Sequence, residues 1–330
     1  MLILAIKFLT LQMKITIVAF DIWGFSQKIV DHLKLHDHEV TFIDTSKIRY
    51  TYKNNRERIK NFFSKTFLNK NIKKNYLQNY LYSTTRDLAF QECILIINPG
   101  YFNSEVLDNL RAKTNRFIAY NYDSLKRAPL PANFDNLFDK IFSFDIEDVR
   151  NFSYLELLTN FAYLPKKKFP VVKNKAFMIL SNSYEREKIL NVIAEIFQNK
   201  GIQNFEFLIL NPALKKHHNK ITLIKKPIDL EFVIDKMSNA EILIDLVRNE
   251  QTGLSFRIFE AMALSKKIIT NNASIKDYDF YNPNNILIID ENDISIPNSF
   301  LYSEYQDIDE LIYKKYTIDS WVNKIFELNN

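Results

Sequence analysis

One stretch of this chain indicates both its fold class and its chemistry: Gln251-Thr252-Gly253-Leu254-Ser255-Phe256-Arg257-Ile258-Phe259-Glu260-Ala261-Met262-Ala263. The pattern predicts a glycine turn that opens a helix, on which Gly253, Arg257 and Glu260 share one face (i, i+4, i+7). A helix start offers unpaired N–H groups and a partial positive charge, so it suits an anion. Gly253 and Glu260 would lie about 10 Å apart along the axis, roughly a pyrophosphate plus a ribose. The stretch therefore predicts a nucleotide-diphosphate site.

Composition limits the classes of protein to which the chain can belong. Its 330 residues are 47% hydrophobic, enough for two domains with substantial cores. A net charge of +5 from 44 basic and 39 acidic residues is too small for a nucleic-acid binder, so no nucleic-acid partner is predicted. The single cysteine, Cys93, lies in an apolar run and favours a reduced, cytoplasmic setting. The five histidines show no metal-ligand spacing, so no metal site is predicted.

Short apolar runs recur along the chain and alternate with amphipathic stretches. Near-continuous hydrophobic strands between helices are typical of buried parallel sheets with helices on both faces. The predicted fold class is therefore α/β, with two series of parallel strands that form two domains. The predicted strands are residues 15–20, 40–43, 94–97, 117–120, 141–144, 177–180, 205–210, 221–224, 242–246, 267–270 and 286–289.

The predicted domain boundaries follow changes in composition. Residues 1–12 form an N-terminal extension, either a surface appendage or the product of an upstream start codon, and no transmembrane helix is expected. Residues 13–163 form the first domain, with an exposed helical insertion at 50–79, and the Pro- and Lys-rich residues 164–174 form a linker. Residues 175–305 form the second domain. Residues 306–330 are expected to be helices that pack back on the domain junction.

A second candidate group follows the strand at 177–180, where Ser183, Tyr184 and Arg186 begin a helix. The serine has two interpretations, an ordinary N-cap or part of an anion site that uses the free N–H groups. In the second interpretation, Arg186 pairs with phosphate. The sequence leaves both open.

The first domain offers candidates for binding a second substrate. Trp23 and Gly24 follow the first strand, and the tryptophan either stacks on a sugar or lipid or packs in the core. Asp123 follows the strand at 117–120 and either caps a turn or contacts acceptor hydroxyls, whereas Asp145 is expected to cap a helix at 146–150. No GxGxxG or Walker A sequence is present, which argues against dehydrogenases and P-loop NTPases.

Residues 251–262, 267–272 and 278–286 resemble the C-terminal half of GT-B glycosyltransferases, and residues 120–124 and 142–148 resemble their first domain. The similarity is to the bacterial lipopolysaccharide and capsule biosynthesis group, related to the retaining family with a Glu-x7-Glu signature. In that family the second glutamate holds the donor ribose, which corresponds to Glu260. The first glutamate's position is occupied by Thr252. Relatives bind the diphosphate with the helix start and a basic residue, which correspond to Gly253 and either Arg257 or Arg186.

The resemblance implies a GT-B fold, with two Rossmann-like parallel-sheet domains facing a cleft. It also implies a metal-independent glycosyltransferase that needs no cofactor besides its donor, a nucleotide diphosphate sugar. The acceptor would be a lipopolysaccharide, a capsule or another surface glycan, free or lipid-linked. The residues assigned to the donor are Ser183, Tyr184, Arg186, Gln251, Thr252, Gly253, Leu254 and Glu260. Those assigned to the acceptor are Trp23, Gly24 and Asp123. Arg257 would stabilise the leaving diphosphate, and Asp123 would be the base if the reaction inverts, although the resemblance favours retention. The first-domain histidine that many relatives use has no evident counterpart.

Two other functions fit parts of the pattern: a non-catalytic sugar-nucleotide-binding subunit of a polysaccharide assembly complex, and a GT-B sugar-nucleotide epimerase. Membrane contact is also open. Lys73, Lys74 and residues 166–168 permit peripheral binding to anionic lipid at the inner face of the membrane, and solvated loops explain them equally well.

Overall fold

Two parallel β-sheets organise the chain in a computed structural model that describes residues 12–68, 70–169, 175–181, 183–211, 221–248 and 250–328. Within these residues the first sheet has the strand order β2-β1-β3-β4-β5-β6 and the second β12-β11-β10-β7-β8-β9. Every predicted strand is present, and β6 was not predicted. The strands are β1 (Lys14–Ala19), β2 (Glu39–Asp44), β3 (Cys93–Ile97), β4 (Phe117–Asn121), β5 (Lys140–Ser143), β6 (Glu156–Leu157), β7 (Ala176–Ser181), β8 (Phe205–Leu210), β9 (Thr222–Ile224), β10 (Ile242–Asp245), β11 (Lys267–Thr270) and β12 (Ile286–Ile288).

Helices connect most of the strands. The predicted helical insertion at 50–79 contains α2, none of whose residues is buried, and the first half of α3, which continues to Arg86 and is partly buried. Among the described residues, no helix has both the length and the apolar character that crossing a bilayer requires. The helices are α1 (Phe25–Leu35), α2 (Asn55–Leu68), α3 (Ile72–Arg86), α4 (Ser104–Arg111), α5 (Phe134–Leu137), α6 (Ile146–Asn151), α7 (Tyr184–Asn199), α8 (Leu230–Asn239), α9 (Phe256–Leu264), α10 (Asn298–Tyr302), α11 (Glu310–Lys314) and α12 (Ile318–Phe326).

The chain forms two compact units that are not contiguous in sequence. The first comprises residues up to Ser143, Asp148–Leu157 and residues from Val322, and the second comprises Phe144–Glu147 and Leu158–Trp321. Residues 158–163, which the sequence analysis placed in the first domain, therefore belong to the second unit. Of the predicted linker, residues 164–169 also lie in the second unit and 170–174 lie outside the described residues. Residues 1–11 of the predicted extension lie outside the described residues as well.

The core of the second unit covers both faces of its sheet. Alternate strand residues join different clusters: Phe177 and Leu243 pack in one, and Met178 and Ile244 in the other. The first cluster includes side chains of α8 and α9, and the second includes those of α7. The first sheet likewise packs against helices, with Cys93 buried in β3, as predicted. Sheets buried on two faces explain why the strands are nearly continuous apolar runs.

Candidate functional site

The second sheet changes direction between β7 and β10. From β7 the chain adds β8 and β9 on one side, and it then places β10, β11 and β12 on the other. In open α/β sheets, ligands bind outside the carboxyl ends of the strands at this switch point. The loops that follow β7 and β10 are the two stretches that the sequence selected for donor binding. The fold therefore brings both stretches to the place where a ligand is expected.

Arg186 connects these two strand ends. Its guanidinium donates to the carbonyl oxygen of Ser181 at the end of β7 (2.9 Å) and to that of Leu246 just after β10 (3.2 Å). The Oγ of Ser181 accepts a further bond at 3.1 Å. The sequence predicted Arg186 as a phosphate partner, and the structure places its positive charge at the switch point. These hydrogen bonds also tie the end of β7 to the loop that follows β10.

Ser183 and Tyr184 lie at the start of α7. Ser183 occupies the N-cap position, but within the described residues its side chain forms no capping hydrogen bond and donates instead to Glu185 (3.0 Å). Tyr184 is exposed, and the Lys188 ammonium lies 4.4 Å from its ring centroid. Ser183 thus holds the predicted N-cap position without the side-chain bond of an ordinary cap, because its hydroxyl points to Glu185 rather than to the backbone.

Asp145 fixes the loop before α9. Its carboxylate accepts hydrogen bonds from the backbone N–H groups of Thr252 (2.8 Å) and Gly253 (3.1 Å), and the Thr252 hydroxyl also donates to it. Asp145 also accepts from the N–H of Glu147 (3.1 Å), which confirms its predicted role at the start of α6. The N–H of Gly253, which the sequence analysis assigned to a diphosphate, is therefore bound by a buried protein carboxylate.

The helix starts later than predicted. Ser255 is the N-cap, its Oγ accepts from the N–H of Arg257 (3.1 Å), and α9 begins at Phe256. The prediction that Gly253 shares a helix face with Arg257 and Glu260 is therefore wrong. Glycine is required at 253 for a different reason, since a Cβ there would lie 2.5 Å from the Phe144 ring.

Glu260 is the centre of a buried hydrogen-bonded cluster. Its side chain is 3% exposed, the Tyr163 hydroxyl donates to Oε1, and Arg257 pairs with Oε2 at 2.9 Å. Burial, followed by the charge of Glu260, raises the pKa of Tyr163, so the phenol stays a proton donor. The guanidinium of Arg257 also contacts the sulfur of Met237. Tyr163, which lies 97 residues before Glu260, was not predicted from the sequence.

Asp245 is a second site residue that was not predicted from the sequence. It ends β10, and the Oγ of Ser255 donates to its Oδ1 at 2.7 Å. Burial raises the pKa of Asp245, and the positive charges of Arg257 and Arg186 act in the opposite direction. Its Oδ2 is buried and has no hydrogen-bond partner within the described part of the chain. The sequence feature that could have identified Asp245 is a carboxylate at the end of an apolar strand, just before the loop predicted to bind the donor.

The other residues predicted in this loop differ in accessibility. Gln251 is half-buried, and its N–H donates to the Arg248 carbonyl (3.0 Å) in a turn. Leu254 is fully buried in the core, and its carbonyl accepts from the Asn160 side chain (2.9 Å). The Leu254 side chain is thus a packing element and faces no ligand space.

The first sheet has its own switch point, between β1 and β3. Trp23 follows β1 and is 44% exposed, which rules out its interpretation as a core residue. Gly24 caps α1 with φ of 80°, a left-handed conformation that favours glycine. Asp123, after β4, pairs with Arg127 (2.9 Å) and accepts from the Asn98 amide (3.4 Å). The acceptor candidates therefore lie near the carboxyl ends of the first sheet's strands.

Solved structures resemble this chain over nearly its whole length. The UDP-forming α,α-trehalose-phosphate synthase from Burkholderia xenovorans in complex with glucose-6-phosphate has a TM-score of 0.57 at 10% identity, covering 96% of this chain and 99% of that chain. The UDP-GlcNAc 2-epimerase from Methanocaldococcus jannaschii has a TM-score of 0.52 at 14% identity, with 96% and 100% covered. An α-glucosyltransferase in complex with UDP and a 13-mer DNA containing a central A:G mismatch has a TM-score of 0.51 at 15% identity, with 96% and 94% covered.

No protein-family model matches the sequence, and a search of curated proteins finds no match. At these identities the structural similarity establishes the fold alone. The chain has two six-stranded parallel sheets, and the similarity to the solved structures extends over both of them. The chain has the GT-B fold, built from two Rossmann-like parallel-sheet domains.

Proposed function

We propose that this protein is a glycosyltransferase that binds a nucleotide diphosphate sugar at the switch point between β7 and β10. One observation carries the proposal: both loops that the sequence selected for an anion meet at this switch point, and Arg186 joins them. A second cation, Arg257, is the second residue of α9. Two arginines at the carboxyl edge of a GT-B sheet match the charge of a diphosphate.

The reaction breaks the bond between the anomeric carbon and the diphosphate oxygen and forms a bond from that carbon to an acceptor hydroxyl. Negative charge develops on the leaving diphosphate, and preorganised cations stabilise it. Arg257 and Arg186 would supply this stabilisation without a metal. In the proposed retaining course, the departing phosphate takes the acceptor proton. In an inverting course, Asp123 would take it.

The geometry gives Glu260 a positioning role beside its proposed contact with ribose. Its ion pair fixes the Arg257 guanidinium, and each carboxylate oxygen can accept a second hydrogen bond. A 2′-deoxy nucleotide separates the two roles. If Glu260 binds the ribose, wild-type protein binds the deoxy analogue more weakly than the ribonucleotide by calorimetry, and Glu260→Gln removes that difference. If Glu260 only positions Arg257, the ratio of the Kd for the deoxy analogue to the Kd for the ribonucleotide is the same in wild type and in Glu260→Gln.

A panel of nucleotide sugars in a thermal-shift assay tests donor binding, followed by transfer of radiolabelled sugar from the best ligand. A nucleotide at a hundredfold its Kd stabilises the fold by about 2.7 kcal/mol. Arg257→Ala should reduce kcat by about 100-fold, measured at a temperature where the variant is still folded, because the substitution also removes the ion-pair partner of the buried Glu260. Arg86→Ala, at an exposed ion pair on α3, is the control. Absence of a shift with every nucleotide sugar would refute the proposal.

The proposed acceptor is a lipopolysaccharide, capsule or other surface glycan, at the inner face of the cytoplasmic membrane. The exposed Trp23 beside Gly24 suits stacking on a sugar ring, since an aromatic face packs well on apolar C–H surfaces. Trp23→Ala should raise the KM for the acceptor and leave nucleotide binding unchanged. An equal loss of nucleotide affinity would contradict the acceptor assignment.

An epimerase is the second candidate, because the similarity to the Methanocaldococcus jannaschii enzyme spans all of that chain. The two reactions are distinguished by omitting the acceptor. An epimerase converts its nucleotide sugar to the epimer without any acceptor, which proton NMR of the anomeric region detects. A transferase needs an acceptor and releases the free nucleotide diphosphate.

A further inference from the structure

Helix α2 presents its apolar side to solvent. Ile59, Phe62, Phe63 and Phe67 are spaced i, i+3, i+4 and i+8 and so share one face of the helix. Together with Leu68, these side chains are between 53% and 74% exposed. The rings of Phe63 and Phe67 stack with centroids 6.1 Å apart, and those of Phe62 and Phe63 lie 5.8 Å apart. None of the residues of α2, all of which the structure describes, is buried.

The opposite side of α2 is polar and attaches the helix to the protein. Glu57 accepts from the Tyr50 hydroxyl (2.6 Å) and from the N–H of Lys53 (2.7 Å). Asn61 donates to the Tyr52 hydroxyl (2.8 Å) and accepts from the N–H of Ile72 (2.8 Å). A surface helix normally has the reverse arrangement, with its apolar face inward. The hydrogen bonds therefore hold the helix with its apolar face directed outward.

The segment around α2 is strongly basic. Between Lys53 and Lys74 there are eight lysines and arginines and one acidic residue, Glu57, a net charge of +7. The whole chain carries +5, so the remainder carries −2. The next helix adds exposed tyrosines, Tyr76 and Tyr80, whose ring centroids lie 6.4 Å apart. Exposed phenylalanines beside dense basic charge and tyrosines are the composition of a helix that lies in a membrane interface.

We propose that α2 docks on an anionic phospholipid bilayer, with Ile59, Phe62, Phe63 and Phe67 inserted at the level of the acyl chains. Lysines and arginines of the segment would contact the lipid phosphates. Charge complementarity favours this occupant over a second copy of the chain, because self-association through α2 would bring two +7 segments together. The inference is independent of the proposed function, although a membrane location would suit a lipid-linked acceptor.

Vesicle flotation with the full chain tests the proposal. Vesicles of phosphatidylcholine containing a third phosphatidylglycerol should bind the protein at least about tenfold more tightly than pure phosphatidylcholine, and added salt should weaken the binding. The variant Phe62→Ser, Phe63→Ser, Phe67→Ser should bind about tenfold more weakly or worse. The matched control is Leu35→Ser, Phe232→Ser, Leu311→Ser, which changes three exposed apolar side chains of other helices and should bind like wild type.

Because all six positions are exposed, both triple variants should keep the wild-type thermal midpoint, which is measured first. Equal binding of neutral and anionic vesicles would overturn the proposal, as would undiminished binding by the α2 variant. Sedimentation of a lipid-free dimer that the α2 substitutions abolish would assign the face to self-association instead. Loss of nucleotide binding in the Arg257→Ala variant leaves vesicle binding unchanged, so the two proposals fail separately.

Discussion

At the residue scale, the charged groups of the candidate site are held by partners from far along the chain. Asp145 binds the loop around Thr252, 107 residues later, and Tyr163 binds Glu260. A buried charge that loses its partner is costly, so these residues affect both stability and ligand binding. Substitutions here must therefore be read with a stability measurement beside the activity.

Asp145→Asn should lower the free energy of unfolding by about 2–4 kcal/mol. The amide can offer only one acceptor oxygen, so its NH2 group would face buried donors of Thr252, Gly253 or Glu147. Urea unfolding followed by circular dichroism measures the change. Asp108→Asn, at an exposed position of α4, is the matched control and should change stability by less than about 0.5 kcal/mol. Equal midpoints for both variants would contradict this account of Asp145.

Lys266 should make stability depend on pH in the alkaline range. It is buried, its Nζ donates to the Ser238 carbonyl (2.6 Å), and burial lowers its pKa from 10.5 to about 8. Between these two values the unfolded chain binds more protons than the folded chain, so the contribution of Lys266 to stability rises with pH. Below about pH 8 Lys266 is charged in the folded protein, and the free-energy cost of burying that charge is fully present.

Lys266→Met removes this titration. Its stability relative to wild type should be most favourable at pH 7 and should decline as the pH approaches 10, as measured from urea midpoints at several pH values. Comparing the two proteins cancels the titration of other lysines and tyrosines. A difference that stays constant from pH 7 to pH 10 would show that Lys266 titrates normally in the fold.

At the element scale, the start of α9 is fixed by Ser255, whereas the start of α7 lacks an equivalent bond within the described residues. Ser255→Ala should cost about 1–3 kcal/mol, because it removes the cap and leaves Asp245 without a donor to Oδ1. Ser183→Ala is the internal control, with an expected loss below about 0.5 kcal/mol. Thermal midpoints compare the two serines, and equal losses would disprove the difference in capping.

The strands could be predicted because each sheet is buried on both faces, which makes its strands continuous apolar runs. β6 escaped prediction because it is two residues long and includes the charged Glu156. The start of α9 was placed too early because Gly253 looked like a helix opener, while its actual requirement is the contact with Phe144. Local sequence cannot reveal a contact with a residue more than one hundred positions away.

For the candidate site, the sequence selected residues in two loops that the fold brings to one switch point, but it did not reveal the side chains that bond to those residues. The loops after β7 and β10 were identified because glycine, serine and arginine follow apolar strands there. Tyr163 and Asp245 were missed, since a tyrosine in an irregular segment and a carboxylate at a strand end are common in proteins. Only the three-dimensional structure shows that they bond to Glu260 and Ser255.

At the scale of the whole molecule, the second unit needs a segment from the first half of the chain. Phe144–Glu147 belongs to it, although ten residues of the first unit follow before Leu158. A fragment of residues 144–321 should therefore be more stable than a fragment of 158–321, by at least about 2 kcal/mol from the hydrogen bonds of Asp145. Thermal unfolding of both fragments measures the difference. Asp145→Asn in the longer fragment should remove most of this difference in stability. If the shorter fragment is as stable as the longer one, the segment Phe144–Glu147 is dispensable.

The same segment constrains how the gene can change by recombination. A single crossover that replaced everything after residue 158 with a homologous sequence would import a new loop at 252–253 while keeping the old Phe144 and Asp145. The new loop would have to leave room for the Phe144 ring and offer two N–H groups to an aspartate that it did not evolve with. Positions 144, 145, 252 and 253 should thus be inherited as one set, and chimaeras should be viable only when all four come from the same parent.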